Sequence, residues 1–204
     1  MTAQRRNDPE STRNAIIKAA EQIFVERGFA ATPMSAIAKS AGVTKSLIHH
    51  HFGSKKDLWD EIKQRLFSEY VALQNKVLET SHMDADLLRE SIIHYFKFLQ
   101  RNPRYSRFLT WMKIDEDDAC CDIGDEMTNL GLERLKEAQD NGVLRNDMNP
   151  MFILMTFLGL AELWFEKKPQ FMRIEGEIES NSDGSDEAYL DAMLEIFFRG
   201  VLPR

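Results

Sequence analysis

Two stretches of helical periodicity, each about eight residues long, flank the segment Gly42-Val43-Thr44, and few folds accommodate that spacing. The first opens at Thr32-Pro33, carries Met34, Ile37, Ala38 and Ala41 at helical intervals, and stops at Gly42, a residue free to adopt left-handed backbone. In the second, Thr44 stands at the cap position, Leu47, Ile48 and Phe52 follow, and Gly53 ends the run. Helices this short do not hold alone in water, so both need a shared core. An upstream segment supplies it: Asp8-Pro9 marks a helix start, Ile16, Ala20, Ile23 and Phe24 form one face, and Gly28 closes it. The expected unit is a three-helix helix-turn-helix. With Ile48 and Phe52 inward, Lys45, Ser46, His49 and part of His50 and His51 turn outward, on the helix such motifs offer to a DNA major groove.

Charge supports that face. The 204-residue chain has a net charge of −7, yet residues 1–56 hold nine Lys and Arg against four Asp and Glu, a local balance of +5, which leaves −12 for the rest. A basic head on an acidic body is what results when one part meets phosphates and the other does not. A Lys45 amine suits guanine O6 and N7, and Lys55, at the start of a fourth helix, suits a phosphate together with that helix's N-terminal amides.

The remainder reads as helix after helix, so the fold expected is all-α with about nine helices. Ser54-Lys55-Lys56-Asp57 resembles a capping box and opens a long fourth helix with Leu58, Ile62, Leu66, Tyr70, Leu73 and Val77 in register. A fifth spans about 84–101 with Leu88, Ile92, Tyr95, Phe96 and Leu99 inward; Asn102-Pro103 separates it from a sixth ending near Lys113. A seventh covers about 118–141, an eighth runs from Asn149-Pro150 until Pro169 closes it, an acidic linker occupies 175–187, and a ninth spans about 186–198. The expected division is a DNA-binding domain at 9–56 and a helical effector-binding and dimerisation domain at 57–204.

The run GFAATPMSAIAKSAGVTKSLIHHHFGSKKDLW resembles the DNA-binding signature of the TetR family of bacterial transcriptional regulators, over residues 13 to about 67. The resemblance implies groove contacts from Lys45, Ser46, Leu47 and His49, and phosphate contacts from Thr32, Ser35, His50, His51 and Lys55, with Thr44 also among the DNA-binding residues. Family members usually carry tyrosine where His49 and His51 stand, so their base preference does not transfer. The resemblance further implies a homodimer on a near-palindromic double-stranded operator, most often a repressor released by a small-molecule effector. Helices at about 150–168 and 186–200, long and apolar-faced, are the expected dimer interface. Trp111, Met112, Met127, Phe152, Met155 and Trp164 are candidate lining for an apolar or amphipathic effector, with a packed core as the competing reading. Glu162 and Glu166 favour a cationic or hydrogen-bonding effector if they point inward, with solvent or a partner as the alternative. A helical small-molecule-binding or interaction protein without useful DNA affinity is the second functional class.

Other chemistry has little to stand on. His49, His50 and His51 are consecutive, so a helix fans them about 100° apart and they do not converge on one metal. Cys120-Cys121 is flanked by Asp115, Glu116, Asp117, Asp118 and Asp122, which raise rather than lower a thiol's pKa. No glycine-rich phosphate loop, nucleophile elbow or zinc signature is present, so neither an enzyme nor a cofactor is expected. The polar segment 1–13 lacks the apolar core of a leader and no stretch suits a membrane span; a cytoplasmic protein is expected.

Overall fold

The structure, a computed structural model, describes residues 8–78, 83–115, 122–175 and 182–203. Among them are nine helices and no strand: α1 (Pro9–Arg27), α2 (Met34–Ala41), α3 (Lys45–Phe52), α4 (Lys55–Leu78), α5 (Ala85–Arg101), α6 (Pro103–Ile114), α7 (Asp122–Asp140), α8 (Pro150–Glu175) and α9 (Ser182–Val201). The all-α expectation holds. Cys120 and Cys121, the start expected for the seventh helix, and residues 176–181 of the expected acidic linker lie outside the described residues; residues 182–187 of that linker are helical.

The chain divides into two compact units. One comprises the described residues of 1–66 and 107–121, the other those of 67–106 and 122–204. The first unit thus extends past the expected boundary at residue 56 and also takes in most of α6. Its core joins Ile16, Ala20 and Phe24 of α1 to Ile37 of α2, Ile48 of α3 and Leu58, Trp59 and Ile62 of α4, all close to fully buried. Trp59 meets Phe24 edge-on at 5.0 Å and stacks on Phe108 of α6 at 4.3 Å. Truncating such a ring to alanine costs about 3–5 kcal/mol.

In the second unit α5 lies against α8 and α9, burying the expected stripe Leu88, Ile92, Tyr95, Phe96 and Leu99. A buried carboxylate ties these three helices. Asp186 of α9, 4% exposed, accepts from Gln100 Nε2 of α5 at 3.0 Å and from Trp164 Nε1 and Lys168 Nζ of α8 at 2.8 and 2.6 Å. Burial acts to raise the Asp186 pKa, but the hydrogen bonds from Lys168, Trp164 and Gln100 outweigh it and hold the carboxyl below its ordinary value.

Two helix ends depart from expectation. Pro169 does not close α8, which continues to Glu175 with the proline inside it. Proline loses its own amide hydrogen bond and its ring crowds the carbonyl four residues back, at about 3 kcal/mol, but residues beyond it keep their amides for the ladder. Similarly, α9 starts at Ser182, ahead of the expected start near Asp186, with Gly184 inside the helix.

Candidate nucleic-acid interface

The turn between α2 and α3 depends on Gly42, which caps α2 in the left-handed region at φ 68° and ψ 29° while its amide returns to Ala38 and Lys39 carbonyls. Thr44 then caps α3, its hydroxyl accepting from the Leu47 amide at 3.2 Å and sharing a 2.9 Å hydrogen bond with Ser46 Oγ. Ile48 is fully buried and Phe52 nearly so, which turns Lys45, Ser46, His49 and His50 into solvent; Leu47 and His51 are half-buried.

The His49 ring is oriented by its own helix end. Its Nδ1 lies 2.6 Å from Gly53 O, and since a carbonyl only accepts, Nδ1 carries the proton. In the neutral imidazole the remaining nitrogen, Nε2, is therefore an acceptor. His50 and His51 contact each other edge-to-face at 5.6 Å.

The α4 N-terminus forms the expected capping box. Asp57 Oδ2 accepts from the Ser54 amide at 2.8 Å and from Ser54 Oγ at 2.7 Å, while Ser54 Oγ receives the Asp57 amide at 3.1 Å. The Ser54 hydroxyl and amide, more than the neighbouring Lys56, hold the Asp57 carboxyl below its usual range. Lys55 is half-buried, with Nζ 4.2 Å from the Phe29 ring centroid and 3.5 Å from Ala30 O. Ser35 is exposed on the first turn of α2. Thr32 departs from its expected role: its side chain is fully buried and its hydroxyl donates to Gly28 O at 2.7 Å, so it holds a turn and does not face a phosphate. Nor does it cap α2, whose N-cap is the extended Pro33.

The residues expected around an effector scatter. Trp111 and Met112 belong to the first unit, where Trp111 Nε1 donates to Val25 O at 3.0 Å and Met112 is buried. Phe152 and Met155 are 56% and 62% exposed on α8, and Met127 is half-buried on α7. Trp164 alone of the six lines a cleft found among the described residues, about 490 Å³, with Leu163, Lys167, Phe171, Met172 and Tyr189. Its ring stacks on Tyr189 at 4.2 Å. Glu162 does reach inward, accepting from Tyr95 Oη of α5 at 2.7 Å, whereas Glu166 is exposed beside Lys167. Sequence reasoning missed Asp186 and Asp115, whose partners are far away in the chain and leave no local pattern. Among the described residues no three His, Cys, Asp or Glu side chains are grouped to hold a metal, and no helix is long and apolar enough to cross a membrane.

Two short helices packed on a longer first one, with the third helix glycine-turned, capped and facing solvent, define a helix-turn-helix protein, here with a larger helical unit. Residues 16–62 match the model of bacterial regulatory proteins of the tetR family, and residues 92–189 match the tetracyclin repressor-like C-terminal domain. The chain belongs to the TetR family. It is 30% identical over 100 residues to the transcriptional activator FasR of Mycolicibacterium smegmatis, covering 49% of this chain and 46% of that one. It is 31% identical over 144 residues to the transcriptional repressor BepR of Brucella suis, covering 70% and 63%. The chain thus spans less than two thirds of these relatives' lengths. The fold is shared with AibR, solved in complex with isovaleryl coenzyme A and operator DNA, at a TM-score of 0.69 and 18% identity, covering 91% of this chain and 97% of that one.

Proposed function

We propose that this chain is a DNA-binding transcriptional regulator, a repressor released by a small-molecule effector, acting as a homodimer on a near-palindromic operator. The observation that carries this reading is the outward face of α3, where Lys45, Ser46, His49 and His50 stand exposed on a head of net charge +5. Lys45 donates to guanine, His49 presents an acceptor to a base-edge amine, and Thr44, Ser46 and Leu47 complete the groove contacts. Ser35, His50, His51 and Lys55 face the backbone phosphates. Family membership supports the assignment, as do relatives named a repressor and an activator.

The dimer surface is the exposed apolar stripe of α8, Phe152, Met155 and Leu163, together with the exposed Ile196 of the adjoining α9; two copies of the helix pair make a four-helix bundle. A two-fold dimer sets its α3 helices in successive major grooves about 34–36 Å apart. The effector binds the second unit, where a cleft lined by Leu163, Trp164, Phe171 and Met172 with Lys167 and Ser185 suits an amphipathic molecule, and favours a conformer that no longer matches the operator spacing. That AibR was solved with an acyl coenzyme A and operator DNA together supports this class of effector.

A gel-shift titration of the full chain on mixed duplex DNA tests the assignment. Affinity is expected to fall steeply with added salt, with a log–log slope near −0.9 per phosphate contacted. Absence of salt-dependent binding overturns the reading in favour of a helical ligand-binding or interaction protein.

A further inference from the structure

Three α6-side residues, Arg107, Trp111 and Asp115, stand four apart along one face, and all belong to the first unit. The Asp115 amide continues the helical ladder to Trp111 O at 2.8 Å. The Arg107 guanidinium donates to Glu26 O at 3.4 Å and Trp111 Nε1 to Val25 O at 3.0 Å, so both satisfy last-turn carbonyls of α1 that lack a helical partner. Asp115 Oδ2 accepts from the Phe29 amide at 2.9 Å, holding the turn that follows α1.

Lys55 reaches the same turn from the other direction, over the Phe29 ring and toward Ala30 O. A carboxylate from the end of α6 and an ammonium from the start of α4 therefore meet on residues 28–30. Burial lowers the Lys55 pKa, and the Asp115 charge opposes that shift.

We propose that Asp115 is a positioning residue of the DNA interface: its carboxylate holds the 28–30 turn and draws the Lys55 ammonium to it, so that a DNA phosphate must compete for that cation. Operator affinity then depends on a residue of the α6 end, outside the helix-turn-helix. The inference rests on the proposed DNA-binding function and adds an internal competitor to it.

Asp115→Asn keeps an oxygen to accept the Phe29 amide and removes only the charge. On a duplex of arbitrary sequence at about 50 mM salt, it is expected to tighten binding about two- to fivefold and to steepen the salt slope by up to about one released counterion. In a Lys55→Gln background the same substitution is expected to change neither affinity nor slope, which separates an effect through Lys55 from a general gain of positive charge. Equal affinity and slope for wild type and Asp115→Asn overturn the proposal, as does an equal gain with and without Lys55. Wild-type protein that shows no salt-dependent binding overturns the DNA-binding reading itself, and the proposal with it.

Discussion

Replacing Gly28 by alanine puts a methyl group where the Trp111 ring already stands. A Cβ built at Gly28 lies 2.6 Å from Trp111 Cε3 and 2.9 Å from Cδ2, and the ring is tethered through its Nε1 to Val25 O. The backbone at φ 75° and ψ 178° is also nearly reserved for glycine, at about 1–3 kcal/mol for any other residue. Overpacking against a held ring adds about 1–3 kcal/mol, for a total of about 2–6 kcal/mol. Gly42 is the internal control. Its φ of 68° carries a left-handed cost of about 1–2 kcal/mol, but nothing lies within 4 Å of its would-be Cβ. Urea unfolding followed by tryptophan fluorescence in a Trp164→Phe background leaves Trp59 and Trp111 to report on the first unit. Gly28→Ala is expected to cost well over Gly42→Ala, and repeating it in Trp111→Leu protein, followed through Trp59, is expected to recover the steric part. Equal losses at the two glycines, or no recovery without the indole, would refute the reasoning.

Further outcomes are expected at other sites. Lys55→Ala weakens binding on all sequences alike and flattens the salt slope by about one unit, whereas Lys45→Ala relaxes base preference by about 1–3 kcal/mol, both read by titrating matched and mismatched duplexes. With the His49 ring in its neutral form, the position whose base preference disappears in His49→Ala prefers adenine or cytosine, the bases with a major-groove amine; a guanine preference there contradicts the acceptor assignment of Nε2. Asp186→Ala strands Lys168, Gln100 and Trp164 and costs about 3–5 kcal/mol in thermal or urea unfolding. Because the Asp186 pKa is depressed in the folded chain, its contribution is complete above the ordinary carboxylate range and fades as pH drops through the folded value, so stability falls below about pH 4 and Asp186→Asn weakens that dependence. Phe152→Glu with Met155→Glu places charges on the exposed α8 stripe and yields monomers in analytical ultracentrifugation, while unchanged dimers exclude that face.

The helix-turn-helix was legible because its signals are local. Caps at Asp8, Thr44 and Ser54 and stops at Gly28, Gly42 and Gly53 all act within a few residues of where they are read. Signals that act across the chain were not legible. Trp111 reads as pocket lining on composition, but its contacts with Val25 and Gly28 lie more than eighty residues away and place it in the DNA-binding unit. Thr32 looked like a cap or phosphate ligand because threonine serves both, and only the fold reveals that Gly28 O takes its hydroxyl. Pro169 carried a local stop signal that the rest of α8 overrode. Apolar spacing marked α8 as long and sticky, but whether Phe152 and Met155 face a pocket or solvent depends on which side α5 and α7 occupy.

Selecting duplexes from a randomised DNA pool with the full chain and sequencing those bound tests most directly that α3 reads DNA as part of a dimer. The expected product is an inverted repeat whose half-site centres lie about 10 base pairs, or a multiple of that, apart, and which loses definition at one position per half-site in Lys45→Ala. Enrichment of no sequence, or of single half-sites whose definition survives Lys45→Ala, would contradict it.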